Sequence, residues 1–126
     1  MDDLYRENIL DHYKHPKNFK ILSSATHRAQ QTVVSCGDDL IMQLSIVHDI
    51  VEAVGFQGRG CAISMASASM LTELVKNKSI QELQKLTKDD ILEMLGIPLT
   101  PTRLKCALLS LEVLHKALQN IKDGKI

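Results

Sequence analysis

Tryptophan is absent from these 126 residues, and the only aromatics are Tyr5, Tyr13, Phe19 and Phe56. A core must therefore be built from Leu, Ile, Val, Met and Ala, which suits helices packed on something flat. No charge of one sign dominates, because fifteen basic and fifteen acidic residues give a formal net charge of +0. A nucleic-acid binder normally carries a basic surplus or stripe. With neither surplus nor stacking aromatics, no RNA or DNA partner is expected. No apolar run approaches the roughly 18–20 residues that span a bilayer, and no basic segment leads into an apolar stretch after Met1-Asp2-Asp3. The chain is thus expected to be cytoplasmic, with no membrane partner. Repeats, linkers and low-complexity segments are also missing, so a single domain over residues 1–126 is expected. Cysteine is scarce, at three. A reducing compartment disfavours structural disulfides and an odd count leaves one thiol over. Metal ligation, thiol chemistry and plain burial stay open.

What is present is a patterned chain. Residues 3–14 set Leu4, Ile9, Leu10 and Tyr13 among charges, the mark of a short amphipathic helix ended by His15-Pro16. A polar stretch from Leu22 to Gln30 reads as loop or the start of an edge strand. Gln31 to Val34, Leu40 to Val47 and Ile50 to Phe56 read as strands, with His48-Asp49 as a tight turn, giving an antiparallel meander. Cys61 to Lys76 is helical and rich in Ala and Ser, which let it lie close to a neighbour. Ser79 to Leu86 suits a short helix. Thr87 and Asp90 form a capping-box pattern opening another that stops near Gly96. After Pro98 and Pro101, a last helix over Thr102 to Asn120 carries Leu104, Leu108, Leu111, Leu114 and Leu118 as one stripe. The sum is α+β: a three-stranded antiparallel sheet with four or five helices packed mainly on one side.

The cysteines occupy telling positions. Cys36 stands between two strands in Ser35-Cys36-Gly37-Asp38, where Gly37 permits a tight turn and Asp38 adds a hard oxygen. Cys61 follows Gly58-Arg59-Gly60 at a helix start, where free N–H groups and the helix dipole favour negative charge on sulfur. Arg59 beside it could serve the same end or lie at the surface. Cys106 falls in the early turns of the last helix, at the edge of its leucine arc on a helical wheel. Three sulfurs and one carboxylate suffice for a tetrahedral zinc, or for iron bridged by sulfide. Cysteine is also a commonly buried small hydrophobe, and the spacing matches no paired Cys-x-x-Cys motif. Spacing alone leaves both readings standing. His12, His15, His27, His48 and His115 share no spacing and read as surface or capping residues.

Tyr5-Arg6-Glu7-Asn8-Ile9-Leu10-Asp11-His12-Tyr13, with Pro16 and Asn18, resembles the N-terminal signature of the IscU/SufU/NifU-type scaffold family. Cys36-Gly37-Asp38, Gly60-Cys61-Ala62-Ile63-Ser64-Met65-Ala66-Ser67-Ala68-Ser69 and Lys105-Cys106-Ala107 match its three cysteine blocks in order. The resemblance covers residues 3–119. It implies a SufE/NifU-like fold and a scaffold for iron–sulfur cluster assembly. On it, sulfur from a cysteine desulfurase and iron would meet as a labile 2Fe–2S-type cluster, for transfer to apo-proteins. It further implies ligation by Cys36, Asp38, Cys61 and Cys106, with the aspartate keeping the site labile.

Three departures refine the expectation. Lys105 replaces the histidine that the IscU branch carries before its third cysteine, and is similar to the SufU branch. That branch binds zinc and accepts persulfide, yet its usual insertion between the second and third cysteines is missing here. Val33-Val34-Ser35 replaces Asn-Pro before the first cysteine. The Leu99 to Lys105 segment also departs from the Leu-Pro-Pro-Val-Lys motif, so an Hsp70-type partner is not expected. The alternatives are a cluster scaffold, a zinc-dependent persulfide acceptor, and a zinc-stabilised interaction module. In the second, Cys106 takes the sulfur once a partner residue displaces it from zinc, and Lys105 contacts the sulfide or persulfide. The third has no transfer role. A scaffold or carrier is expected before a true enzyme, with sulfurtransferase activity as the enzymatic alternative.

Overall fold

The computed structural model of the protein describes residues 2–34 and 37–119. Helix α1 (Asp2–Lys14) precedes strands β1 (His27–Val33), β2 (Asp38–Val47) and β3 (Ile50–Arg59), which form an antiparallel sheet in that order. Helices α2 (Ala62–Val75), α3 (Ile80–Gln84), α4 (Lys88–Leu95) and α5 (Pro101–Gln119) follow. The expected α+β class and meander are both present.

Alternation along β2 explains the layering. Leu40, Met42 and Leu44 turn to one face and are essentially inaccessible, as are Val54 and Phe56 paired with Leu44 and Met42 on β3. Helix α5 lies across β1 and β2, and α2 packs on β3, α1 and α5. Helix α2 is therefore enclosed: all ten residues from Ile63 to Thr72 are buried. A helix buried all round needs small side chains where its neighbours come close, which accounts for its Ala and Ser content. The β2–β3 hairpin turns on His48 (φ 52°) and Asp49 (φ 65°) between the paired Val47 and Ile50. Two left-handed central residues give the turn whose twist matches its strands.

The first strand begins at His27 rather than Gln31, and Val34 is an exposed turn residue outside it. Ala29 is the one fully buried residue of β1. The strand lies at the sheet edge with polar residues on its outer face, so its sequence carried little alternation to read. Between α1 and β1 the chain runs along the free edge of β3. Phe56 N–H donates to the Asn18 carbonyl at 3.0 Å, and Phe19 meets the Phe56 ring edge-on at 5.2 Å. A Cβ on Gly55 would stand 2.4 Å from the Lys20 carbonyl oxygen, so glycine is what lets this strap close.

The capping pattern at Thr87 is realised: Asp90 accepts from the Thr87 N–H at 2.8 Å and from its hydroxyl at 3.1 Å, and Gly96 ends α4 at φ 72°. Ser79 and Glu82 form a second box before α3, and the Ser79 backbone N–H and hydroxyl hold the Glu82 carboxyl below its usual pKa. Helix α5 meets the leucine-stripe expectation in part, with Leu111, Leu114 and Leu118 buried. Leu104 and Leu108 are only half-buried, whereas Cys106, Ala107, Ser110, Val113, Leu114 and Ala117 face the core. Close approach to α2 selects small residues for the seam, so Cys106 sits in the middle of the buried face at 3% exposure, not at its edge.

Candidate metal centre

Three elements converge at the end of the sheet nearest the β1–β2 connection. Asp38 opens β2 and is 1% exposed, because it turns to the same face as Leu40 and Met42. Cys61 is the N-cap of α2, with extended backbone (φ −71°, ψ 170°) and no side-chain cap. Cys106 comes from the second turn of α5. One carboxylate oxygen and the two Sγ atoms all lie within 4.8 Å of one another. Neighbouring ligands of a tetrahedral ion bonded at about 2.0–2.3 Å stand roughly 3.3–3.8 Å apart, inside that limit.

The cradle is built by close approach. Cys61 N–H donates to Asp38 Oδ1 at 3.1 Å, tying the start of α2 to the start of β2. A Cβ on Gly60 would stand 2.7 Å from that same oxygen and 2.3 Å from Ser64 Oγ, so only glycine allows the carboxylate this position. Ser64 Oγ–H donates to the Cys61 carbonyl at 3.1 Å, and its oxygen stands 3.8 Å from Cys61 Sγ. One turn deeper, Ser67 Oγ–H donates to the Ala107 carbonyl at 2.8 Å and Ser67 lies 3.0 Å from Ser110 Oγ. These fully buried hydroxyls clamp α2 to α5 and fix where the two cysteines meet.

The residues fit a metal on their own terms. Asp38 Oδ2 is buried and has no hydrogen-bond partner among the described residues. A buried carboxylate oxygen left unsatisfied is costly and uncommon, and a bound cation supplies what it lacks. Two soft sulfurs beside one hard oxygen suit zinc or iron.

The structure thus brings together Asp38, Cys61 and Cys106 of the expected set, while Cys36 lies outside the described residues. Lys105 is exposed beside Cys106, and no hydrogen bond or ion pair of its side chain occurs among the described residues. Arg59 pairs in register with Asp39, on the opposite sheet face from Asp38, and is exposed, so it does not adjoin the thiols. No histidine joins the donor group. His12 departs from its surface expectation: it is buried, with Nδ1 2.7 Å from Ser69 Oγ and Nε2 3.6 Å from Glu73. Gly60 and Ser67 stood in the second cysteine block without a role of their own, and Ser110 carried no signal in the sequence. A cleft of about 390 Å³ lies between α1, the start of α2 and the α4–α5 connection. Ile63, Ile97 and Leu99 line it together with Arg6 and Arg103.

The family described as NifU-like N terminal domain matches residues 4–125. The zinc-dependent sulfurtransferase SufU of Bacillus subtilis is 35% identical over 141 aligned positions, covering 98% of this chain and 95% of that protein. Those positions outnumber the 126 residues here by 15, so at least that many face gaps, in keeping with an absent insertion. The iron–sulfur cluster assembly scaffold protein IscU of Aquifex aeolicus is 38% identical, covering 97% of this chain and 80% of that one. Among solved structures, a putative iron–sulfur cluster assembly scaffold protein for the SUF system from Fervidobacterium islandicum superposes with a TM-score of 0.77. It is 27% identical over 89% of this chain and 94% of its own.

Proposed function

The chain belongs to the NifU-like N-terminal domain family, and from that membership we propose that it is an iron–sulfur cluster assembly scaffold. It receives sulfur from a donor, a cysteine desulfurase, and passes the assembled cluster to recipient apo-proteins. The observation that carries this reading is the convergence of Asp38, Cys61 and Cys106, with one Asp38 oxygen lacking a partner among the described residues. Cys36, two residues before Asp38 in the sequence, completes a set of four ligands.

Iron and sulfide are the cargo of such a site. The thiolates of Cys36, Cys61 and Cys106 bind iron. Asp38 offers one oxygen while the Cys61 N–H holds the other. A carboxylate binds iron less tenaciously than a thiolate, so Asp38 is the ligand that yields when a recipient takes the cluster. The cleft beside Ile63 and Arg103 offers an approach to this end of the molecule. Anaerobic incubation with ferrous iron, cysteine and a desulfurase is expected to give visible charge-transfer absorption. Replacing Asp38 by Ala should slow transfer to a recipient by about tenfold, the scale of ligand-shell changes. A colourless product with all three thiols intact would overturn the reading.

A second reading is favoured by Lys105 and by the SufU relative: a zinc-dependent sulfur acceptor. Zinc held by this set would keep the thiols ionised. Cys106 is the acceptor. Its thiolate attacks the outer sulfur of the donor's persulfide, that S–S bond breaks, the donor leaves as thiolate and Cys106 becomes the persulfide. Lys105, exposed beside it, pairs with the new anion. Metal content and colour of the protein as purified separate the two. One tightly held zinc without colour, with desulfurase stimulation lost in Cys106→Ala, marks the acceptor. A brown protein marks the scaffold.

A further inference from the structure

The sheet face turned away from the thiols carries a second constellation. Asp38, Leu40 and Met42 alternate toward the helices, so Ile41 and Gln43 turn the other way. In register, Arg28, Gln43 and Gly55 form one row across the three strands, and Ile41 and Gln57 pair in the next. The strap from Asn18 to Leu22 folds over the β3 end of these rows, because Gly55 admits the Lys20 carbonyl. Between strap and sheet lies a cavity of about 200 Å³. Lys20 and Ile21 line it from the strap, Arg28 from β1, and Ile41, Gln43 and Gln57 from the sheet.

The polar groups of this cavity all offer protons. Gln43 is only 9% exposed; its Oε1 accepts the Leu22 N–H at 2.8 Å, and its amide nitrogen has no acceptor among the described residues. Neither Lys20 nor Arg28 has an ion-pair partner among them. Among the described residues no carboxylate lines the cavity. Asp39, the acidic residue of β2 on this face, is engaged by Thr32 at 2.9 Å and Gln30 at 3.2 Å. On a chain with no net charge, two cations unpaired among the described residues and an accessible, unpartnered amide converge over an apolar floor.

We propose that this cavity binds a small organic anion, a carboxylate or phosphate ester with a compact apolar body. The Arg28 fork matches a planar or tetrahedral oxyanion, Lys20 adds a point charge and Gln43 donates from within. The volume falls below the roughly 300–1,000 Å³ of drug-sized sites, so it takes a compact molecule and not a length of chain. None of its residues belongs to the thiol site, so the two can be loaded separately.

Amide NMR of the full chain, in one fixed metal state, tests this with benzoate, phenyl phosphate and inorganic phosphate. Saturable shifts confined to residues 20–22, 28, 41–43 and 57 are expected. Preference for benzoate or for phenyl phosphate assigns the head group, and inorganic phosphate alone reports how much the apolar body adds. Gln43→Glu keeps the acceptor for Leu22 N–H but turns the donor edge into an anion. It should weaken binding by at least about tenfold, as loss of a charge-assisted contact does, while the Leu22 amide signal stays in place. If that variant misfolds, the Lys20→Ala/Arg28→Ala pair must give the same loss. Shifts that never saturate or scatter over exposed lysines overturn the proposal. Tighter binding of a short polyglutamate peptide at these residues overturns it too, assigning the face to a protein partner.

Discussion

At its first turn, α2 presents Cys61 with no side-chain cap and no acidic residue of the helix itself, against the buried Asp38 carboxylate, whose second oxygen has no partner among the described residues. Two turns further on, the same helix is fully bonded. Ser69 Oγ accepts the Lys17 N–H at 2.8 Å and meets His12 Nδ1 at 2.7 Å, while Thr72 Oγ1 accepts from Asn18 Nδ2 at 3.0 Å and donates to the Ser69 carbonyl at 2.7 Å. Both halves are buried, and both lie against neighbours drawn from distant parts of the sequence. Only the first leaves polar capacity unused. Structure holds where hydrogen bonds close, and chemistry is available where they do not, which is why local rules break at functional sites. The hydroxyl pair Ser67 and Ser110 stands between the halves and passes the rigidity of the second to the first.

This contrast makes separable predictions. The largest effect is expected from Gly60→Ala. Its Cβ would strike Ser64 Oγ and Asp38 Oδ1, so overpacking should cost about 1–3 kcal/mol in stability. Displacing the carboxylate should also lower metal affinity by about 10–100-fold in a zinc competition titration. Unchanged affinity would break the claim that the glycine builds the cradle. Next comes Ser69→Ala, which removes the partner of the buried His12 ring and of the part-buried Lys17 N–H. A loss of about 1–3 kcal/mol is expected by chemical denaturation, with metal affinity of the folded protein untouched. If affinity fell in step, the two halves of α2 would be one unit, not two.

The same contrast decides what could be read from sequence. Alternation in β2 and β3 announced the sheet, the Thr87–Asp90 spacing announced α4, and Asp38, Cys61 and Cys106 stood in ordered motif blocks. The bonded half of α2 was illegible, because His12 and Ser69 are 57 residues apart and Ser67 and Ala107 are 40 apart. No local pattern encodes such a meeting. A helical wheel centred α5 on its leucines, but proximity to α2 chose Cys106, Ala107 and Ser110 for the buried seam. The edge strand β1 hid its first residues for the opposite reason: with a polar outer face and only Ala29 buried, hydrophobicity had nothing to mark.

The end of the sheet remote from Asp38 offers the gentlest test. His27 pairs in register with Leu44 there, and its Nδ1 lies 2.8 Å from Thr26 Oγ1, which itself accepts the Ile46 N–H at 2.9 Å. Burial lowers the His27 pKa from its ordinary 6.5. The unfolded chain therefore binds the proton more readily, and folding stability rises with pH wherever that is so. The contribution of neutral His27 is complete above pH 6.5 and declines as pH falls from there through the folded value. Solvent screening at this half-buried site keeps the effect small, a fall in Tm of about 1–2 °C between pH 7 and pH 5.5 for a domain of this size. Measured on metal-free protein, so that thiol protonation plays no part through metal release, the wild type should lose that increment and His27→Gln should not. Equal acid sensitivity in both would move the titrating group elsewhere, and a larger loss in the wild type would mean that this end of the sheet is less tolerant of charge than its hydrogen bonds suggest.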